Sequence, residues 1–522
     1  MTKSVSILWA DDEIDLLRPH ILLLEGKGFE VITANNGEDA IDRVNERDFD
    51  LIFLDENMPG LTGLQVLTRI KTIRPNIPVV MITKSEEEDI MDEAIGSKIA
   101  DYLIKPVNPK QVLLTIKKFV DTKRLVSEKT TSTYQTEFGK IGLQISESLS
   151  WQDWIQVYKK LVYWELELKG TGETPMDEVF HMQKSEANQS FTRFIRKNYT
   201  SWFTQDLGTR PMISPDLLKN RVFPLMNKNI PVVLMVVDNL RYDQWKVMEP
   251  VISELFTIDQ DELYYSILPT ATQFARNALF GGLMPLAISK IYPDIWKEDF
   301  EEGSKNMYEE ELLRANMQRH GIPGRIVYDK ISTNKAGKKW AENATSLLDQ
   351  SLSVLVYNFV DMLSHARTDT NMIRELADDE AAYRTLTQTW FIHSPMLELL
   401  RELSKHKVTV VITTDHGTTL VQDPIKVIGD RLTTTNLRYK QGKNLNYNSR
   451  EVFEVLRAED IHLPRPNVST RYIFATGSDF FAYPNNYNHY VKYYRNTFQH
   501  GGVSMEEMLV PVIQLQIGRA HV

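Results

Sequence analysis

The chain changes rhythm twice along its length. Over residues 1–122, short β-branched runs alternate with amphipathic stretches. Positions 6–10, 30–33, 50–54, 78–82 and 101–104 predict strands, and 16–27 and 63–72 space their apolar residues as helices. Five such units predict a doubly wound parallel sheet of flavodoxin-like order. Between 121 and 136 the periodicity fades and Thr, Ser and Lys accumulate, as in a linker or a frayed helix end. Helical spacing then returns in Trp151, Trp154, Ile155, Tyr158, Val162 and Leu166, and again in Val179, Phe180, Phe191, Phe194 and Ile195. A linker and small helical bundle are expected over 123–227, its aromatic stripes serving as core. From 228 to 516 a second α/β region is expected. Three of its apolar runs, 232–237, 354–360 and 408–414, each lead into a lone aspartate: Asp238, Asp361 and Asp415. Continuous β-branched runs read as strands buried on both faces of a parallel sheet. Ligands bind beyond the carboxyl ends of such strands, so three carboxylates are expected on one rim.

Composition narrows this picture. At 522 residues the chain exceeds one ordinary core. A net charge of −10 argues against duplex DNA binding, and the absence of cysteine excludes disulfides and thiolate zinc sites. No apolar stretch approaches the roughly 20 residues of a membrane span, and the N-terminus turns polar at Asp11, too early for a signal peptide. A cytoplasmic protein that is not embedded in a membrane is expected. Residues 517–522 fit nothing before them and match a translated sequencing adapter, so they are read as an artefactual tail.

Candidate chemistry sits at strand ends in both α/β regions. In the front region Asp11 and Asp12 follow the first predicted strand, Asp55 the third, Thr83 the fourth and Lys105 the fifth. Close carboxylates repel one another and call for a hard cation such as Mg²⁺. A carboxylate can also accept a phosphoryl group, with Lys105 as a point charge and Thr83 as a reorienting hydroxyl. Ala10-Asp11-Asp12-Glu13, Leu54-Asp55-Glu56-Asn57-Met58-Pro59-Gly60, Ile82-Thr83 and Tyr102-Leu103-Ile104-Lys105-Pro106 resemble response-regulator receiver domains. The resemblance implies that Asp55 accepts phosphate from a sensor histidine kinase. It also implies one Mg²⁺ bound by Asp12, Asp55 and the Asn57 carbonyl with Asp11 acting through water, a switch residue at Tyr102, and a cis Lys105–Pro106 bond. The residue after Thr83 is usually small in this family. Here it is Lys84, which could screen the phosphoryl site.

In the back region, Thr272 precedes the helically spaced Phe274, Ala275, Ala278 and Leu279. A hydroxyl at a helix N-terminus beside a metal is a candidate nucleophile, because N–H groups and dipole there favour a phosphate. His365 follows Asp361 by four residues, His416 follows Asp415, and His500 precedes two glycines that permit a tight turn. Oxygen and nitrogen donors of this kind suit zinc, and they are numerous enough for two ions. Val237-Asp238-Asn239-Leu240-Arg241-Tyr242-Asp243, the segment 269–280, the segment 361–365, Thr414-Asp415-His416-Gly417, the segment 438–444 and the segment 500–511 resemble the PglZ branch of the alkaline phosphatase superfamily. That resemblance implies one zinc on Asp361, His365 and His500, a second on Asp238, Thr272, Asp415 and His416, and Thr272 as nucleophile. Arg241 and Lys440 are looser candidates for substrate phosphate, and Arg431, Arg438 and Lys443 could grip further phosphates.

The order of the three parts resembles response regulators tied to type IX secretion and gliding. It implies two Zn²⁺ per chain, homodimerisation on phosphorylation, and phosphodiesterase action on linear or cyclic oligonucleotides. Expected partners are a cognate sensor histidine kinase and an extracytoplasmic-function sigma factor. The alternative is a non-catalytic, zinc-stabilised signalling scaffold that binds a sigma factor or other partner. A DNA-binding output is disfavoured, since no helix-turn-helix signal follows residue 122.

Overall fold

The computed structural model describes residues 5–74, 77–84, 99–147, 149–170, 175–226, 230–297, 301, 305–369, 379–430 and 433–517. The chain forms two compact units, 1–135 and 136–522. Arg431 and residues 518–522 of the expected tail lie outside the described residues.

The first unit is built on β1 (Ser6–Ala10), β2 (Glu30–Ala34), β3 (Leu51–Asp55), β4 (Val79–Thr83) and β5 (Asp101–Ile104). They form one parallel sheet in the order β2-β1-β3-β4-β5, the flavodoxin-like order expected. Strands β1, β3 and β4 are buried along their whole length because apolar clusters cover both faces. Helices Arg18–Glu25, Gly37–Glu46 and Gly63–Ile73 supply part of that cover. Polar caps fix two of their starts. The Asn36 side chain accepts from the Asp39 N–H at 2.8 Å, and Thr62 and Gln65 form a reciprocal capping box. Gly63 permits the close approach to the strand end, since a Cβ there would stand 2.4 Å from the Asp55 carbonyl oxygen.

A helix of 38 residues, Pro109–Ser146, runs through the segment expected to be a linker after residue 122. Its Thr/Ser/Lys-rich stretch lacks apolar periodicity, but it contains no Gly or Pro between Lys110 and Phe138 to end the helix.

In the second unit, helices Trp151–Gly170 and Pro175–Asn198 match the two aromatic stripes, with Trp154, Tyr158, Phe180, Phe191 and Ile195 buried. The strands that follow are β6 (Val232–Val237), β7 (Thr257–Tyr265), β8 (Ile326–Ile331), β9 (Leu352–Tyr357) and β10 (Thr409–Thr413). Short strands β11 (Thr419–Val421), β12 (Asp423–Lys426), β13 (Tyr439–Gly442), β14 (Phe453–Val455), β15 (Arg471–Phe474), β16 (Asp479–Ala482) and β17 (Thr497–Gln499) come next, before the long β18 (Leu509–Gln516). The main sheet is ordered β7-β18-β10-β6-β9-β8. Its β10-β6-β9-β8 portion is parallel, as the apolar runs require, whereas β18 runs antiparallel to both β10 and β7. The short strands form three small sheets: β11-β17, β12-β16 and β13-β15-β14.

One expected strand is shorter than its apolar run. β9 stops at Tyr357 and a helix, Phe359–Asp369, begins within the run 354–360. Phe359 stacks on Trp390 with ring centroids 4.2 Å apart, and Val360 is fully buried. The last apolar residues of the run therefore pack as the inner face of a helix start. Asp361 is carried by the first turn of that helix, and a spacing of four then puts His365 on the same face.

Candidate metal centre and receiver site

At the carboxyl ends of β6 and β10 lie Asp238 and Asp415, both buried. The Asp415 Oδ1 atom accepts the backbone N–H of His416 at 3.1 Å and of Asn239 at 3.4 Å. Its Oδ2 atom is buried with no hydrogen-bond partner among the described residues. Burial, reinforced by the neighbouring Asp238 charge, pushes the Asp415 carboxyl up to about 8. Asp238 faces the same burial, but the Arg276 guanidinium and then His416 hold its carboxyl below the usual range.

Thr272 is the first residue of helix Thr272–Gly281, and Ala271, in extended backbone, is the N-cap. The Thr272 hydroxyl therefore does not cap its own helix. Oγ1 lies 3.0 Å from His416 Nε2 and 3.5 Å from Asp238 Oδ1. The Thr272 carbonyl is held by Asn306 Nδ2 at 3.0 Å.

The two central histidines share one construction. His416 Nδ1 lies 3.1 Å from the Gly417 carbonyl, and His500 Nδ1 lies 3.2 Å from the Thr270 carbonyl. A carbonyl can only accept, so each Nδ1 carries the proton and each Nε2 presents a lone pair, the arrangement of metal-ligating imidazoles. Burial lowers the pKa of both. His500, also beside His416, falls to about 4. The rings stack with centroids 4.4 Å apart. Gly501, at φ +122°, makes the turn that delivers His500, and a Cβ there would stand 2.7 Å from the Tyr439 ring.

Asp361 completes the group. Its Oδ1 is 3.9 Å from His500 Nε2 and its Oδ2 is 3.5 Å from His365 Nε2. Two donor sets result, Asp238/Asp415/His416 and Asp361/His365/His500, each with ligand atoms within 4.8 Å of one another. An orphaned buried carboxylate oxygen, two imidazole lone pairs and no cysteine fit divalent cations of the zinc type.

Three residues at this centre went unrecognised in the sequence. Arg276, one turn after Thr272, is buried with Nη1 2.6 Å from Asp238 Oδ2 and Nε 2.7 Å from Glu309 Oε1. Glu309 in turn takes Lys330 Nζ at 2.9 Å and the Tyr328 hydroxyl. Asn239, in left-handed backbone at φ +66°, reaches Asp361 Oδ1 at 3.4 Å and Ser364 Oγ at 3.3 Å. The i, i+4 spacing from Thr272 was the available signal for Arg276. Nothing local marks Glu309.

The looser phosphate candidates are corrected. Arg241 is fully buried and its fork is spent on Asp243, with Nε at 2.8 Å, and on Glu380, with Nη1 at 2.9 Å. Lys440 is buried too; its Nζ donates to the Thr434 carbonyl at 2.8 Å and lies 4.7 Å from the Tyr483 ring centre. Arg438 forms a fully buried pair with Glu507 at 2.6 Å. These are cations folded into the interior, and Lys443 alone of the described basic segment is partly exposed.

In the first unit Lys105 Nζ lies 2.9 Å from Asp55 Oδ1 and 3.0 Å from Asp11 Oδ2. Asp11, Asp12 and Asp55 form a third carboxylate cluster, with Asp12 and Asn57 exposed at its edge. Burial raises the Asp55 pKa despite the opposing Lys105 hydrogen bond. The Thr83 hydroxyl donates to Glu56 and Tyr102 is exposed. Lys84 is turned toward Glu13, with Nζ at 3.9 Å. The Lys105–Pro106 bond is cis.

Family comparison finds three matching regions along the chain. The BREX system PglZ alkaline phosphatase-like domain matches residues 217–515, more than half of the chain. The chain belongs to the PglZ family. Ahead of its PglZ region, a response regulator receiver domain matches residues 7–117 and a PorX response regulator linker domain matches 124–203. The PglZ chain is thus a PorX-like response regulator. Among curated relatives, the transcriptional regulatory protein ZraR of Klebsiella oxytoca is 37% identical over 140 residues, covering 27% of this chain and 32% of ZraR. The chain thus spans about a third of the length of that relative. A CpxR homolog of Haemophilus influenzae is 30% identical over 218 residues, covering 38% of this chain and 93% of the homolog. Among solved structures, the chemotaxis protein CheY4 of Vibrio cholerae is 27% identical, with a TM-score of 0.22, covering 22% of this chain and 99% of its own. The receiver domain of NtrX from Brucella abortus is 32% identical, with a TM-score of 0.21, covering 22% of this chain and 98% of its own. Among the described residues, no helix is long and apolar enough to cross a membrane.

Proposed function

We propose that the chain is a two-component response regulator whose PglZ region is a zinc-dependent phosphodiesterase of linear or cyclic oligonucleotides, controlled by phosphorylation and dimerisation. The observation that carries the enzymatic reading is the Thr272 hydroxyl. It sits at a helix N-terminus, 3.0 Å from His416 and 3.5 Å from Asp238, where a merely structural site has no use for it.

Asp361, His365 and His500 would hold one zinc, and Asp238, Thr272, Asp415 and His416 the other. Zinc bound there supplies Lewis-acid charge to the transferring phosphoryl group. The first turn of helix Thr272–Gly281 directs N–H groups and the positive end of its dipole at the same anion. Thr272 gives up its hydroxyl proton, its oxygen bonds to phosphorus, and the bond to the leaving nucleoside oxygen breaks, that oxygen taking up a proton. Water then hydrolyses the resulting threonine–nucleotide diester, releasing the nucleoside phosphate monoester and restoring the hydroxyl. Arg276 fixes Asp238 in position and offsets its charge.

In the receiver, Asp55 takes phosphate from a cognate sensor kinase with Lys105 beside the phosphate; Asp12, Asp55 and the Asn57 carbonyl would hold Mg²⁺ directly and Asp11 through water. Thr83 and Tyr102 then change orientation. A cytoplasmic location, an extracytoplasmic-function sigma factor as partner and a role in type IX secretion belong to the same proposal.

The test compares wild type with Thr272→Ala for zinc content and for cleavage of a chromogenic phosphodiester and a dinucleotide. Both proteins are expected to hold two zincs, with turnover falling by more than about 10³-fold in the variant. A wild type that holds two zincs yet cleaves neither compound, even with a phosphate mimic on Asp55, defeats the enzymatic reading.

A further inference from the structure

A cleft of about 700 Å³ in the second unit lies between helix Pro175–Asn198 and the small sheets after β10. It contains none of the candidate metal ligands. Its lining follows one stripe of the helix from His181 to Arg196, a run of about 22 Å at 1.5 Å per residue. An elongated polar ligand fits such a shape better than a compact one.

The cations along the cleft fall into two groups, beside lining carboxylates that include Asp379, Asp423 and Asp479. At its floor Lys184 is saturated by Glu165 at 3.0 Å, Glu380 at 2.9 Å and Glu506 at 3.4 Å, and Arg384 is held by Glu165 and by Asp243 at 2.9 Å. Those cations have no capacity left for a ligand. Toward the C-terminal end of the stripe, Arg193, Arg196 and Arg450 are exposed, and none is in an ion pair among the described residues. Arg193 donates only to Ser190 Oγ, and Arg196 donates to the Val452 carbonyl, which brings it to the loop that bears Arg450. Guanidinium groups from two elements thus line one polar cavity, Arg196 with the Glu454 carboxylate as its Coulombic neighbour and all three with donors unused among the described residues, an arrangement suited to phosphate. The β12–β16 pair adds Asp423 and Asp479 to the lining, acceptors suited to the exocyclic amines of bases.

We propose that this cleft binds a phosphodiester-linked oligonucleotide, with Arg193, Arg196 and Arg450 on its phosphates. The ligand class rests on the reading of the PglZ region as an oligonucleotide phosphodiesterase. The cleft borders the catalytic segments. Thr419 and Leu420 in its lining follow His416 by three and four residues, and Asn496 precedes His500 by four. Glu506 in its floor packs its own carbonyl against Gly417. A ligand there is either the distal part of a substrate engaged at the metals or a separate effector, and the two share one chemistry.

The test titrates the trinucleotide pApApA into full-length protein carrying Thr272→Ala, by calorimetry at about 50 and about 200 mM salt. The comparison proteins add Arg193→Ala with Arg196→Ala, or Arg450→Ala alone on a different element. The double variant is expected to bind about tenfold more weakly at low salt, with its salt slope reduced by about 1.4, and Arg450→Ala to reduce the slope by about 0.7. Repeating the titration after zinc removal separates the sources. A deficit confined to the zinc-loaded protein identifies a substrate tail, and one that persists identifies an effector. Affinity and slope unchanged in both variants, with unchanged melting temperature, overturn the proposal. The binding readout needs no turnover, so an inactive wild type would defeat the enzymatic reading and leave this result standing.

Discussion

Lys440 shows what a side chain alone cannot reveal. In the sequence it is a basic residue near the Asp-His-Gly turn, available to a phosphate. In the structure it is buried with no carboxylate partner among the described residues, and burial lowers its ammonium to about 7. The unfolded chain, with an ordinary lysine near 10.4, binds that proton more tightly, so this group's contribution rises with pH between those two values and is lost as pH falls toward 7. Lys440→Met should remove the dependence. Urea unfolding at pH 7 and about pH 9 is expected to show wild type gaining about 2 kcal/mol relative to the variant over that interval. An equal pH response in both proteins would mean that the ammonium is not desolvated. Arg241 and Arg438 teach the same lesson, since their fates were decided by Asp243, Glu380 and Glu507, which sequence distance or a bland local context conceals. Asp238, Thr272, Asp415, His416 and His500 could be read because strand ends, a helix start and a glycine turn are local signals. Arg276 and Asn239 escaped because their partners lie on other elements.

At the scale of elements, the Asp-His-Gly turn is wedged against the short helix Met505–Met508 that leads into β18. A Cβ on Gly417 would stand 2.0 Å from the Glu506 carbonyl oxygen, and the Gly417 N–H donates to the Glu507 carbonyl at 3.1 Å. Both neighbours are backbone, so neither can swing aside. Gly417→Ala is expected to cost about 2 kcal/mol or more and to displace His416. Thermal unfolding and zinc content, measured together, should both fall; a variant with normal zinc and stability would show that the turn is pliable. Element type was legible for the five receiver strands and both aromatic helices, where apolar period decides. It failed at 354–360, because a buried run reads the same as strand or helix start until the Phe359–Trp390 stack is known. It failed again after 122, where polar composition suggested a break that no residue imposes.

At the scale of the molecule, the proposed control by phosphorylation makes a separate prediction. Beryllofluoride with Mg²⁺, which mimics a phosphorylated Asp55, should raise the dimer fraction of wild type several-fold in gel filtration with light scattering. Asp55→Ala should show no response. Dimerisation of both proteins to the same extent would detach assembly from the phosphoryl site. The Asp55–Lys105 pair, 2.9 Å apart, is the contact that a phosphoryl group would rearrange.

The position of β18 has a consequence for how the protein is made. It lies between β10 and β7, so the main sheet is split until residues 509–516 are in place, although β6 and β9 precede them by more than a hundred residues. On the ribosome the receiver can finish folding early from contacts within its own 135 residues. The main sheet of the second unit must wait, with the edges of β7 and β10 unpaired, until β18 emerges. While residues 266–508 are being added, a nascent chain is therefore exposed to aggregation through the open edges of its PglZ sheet, although its receiver unit is already complete.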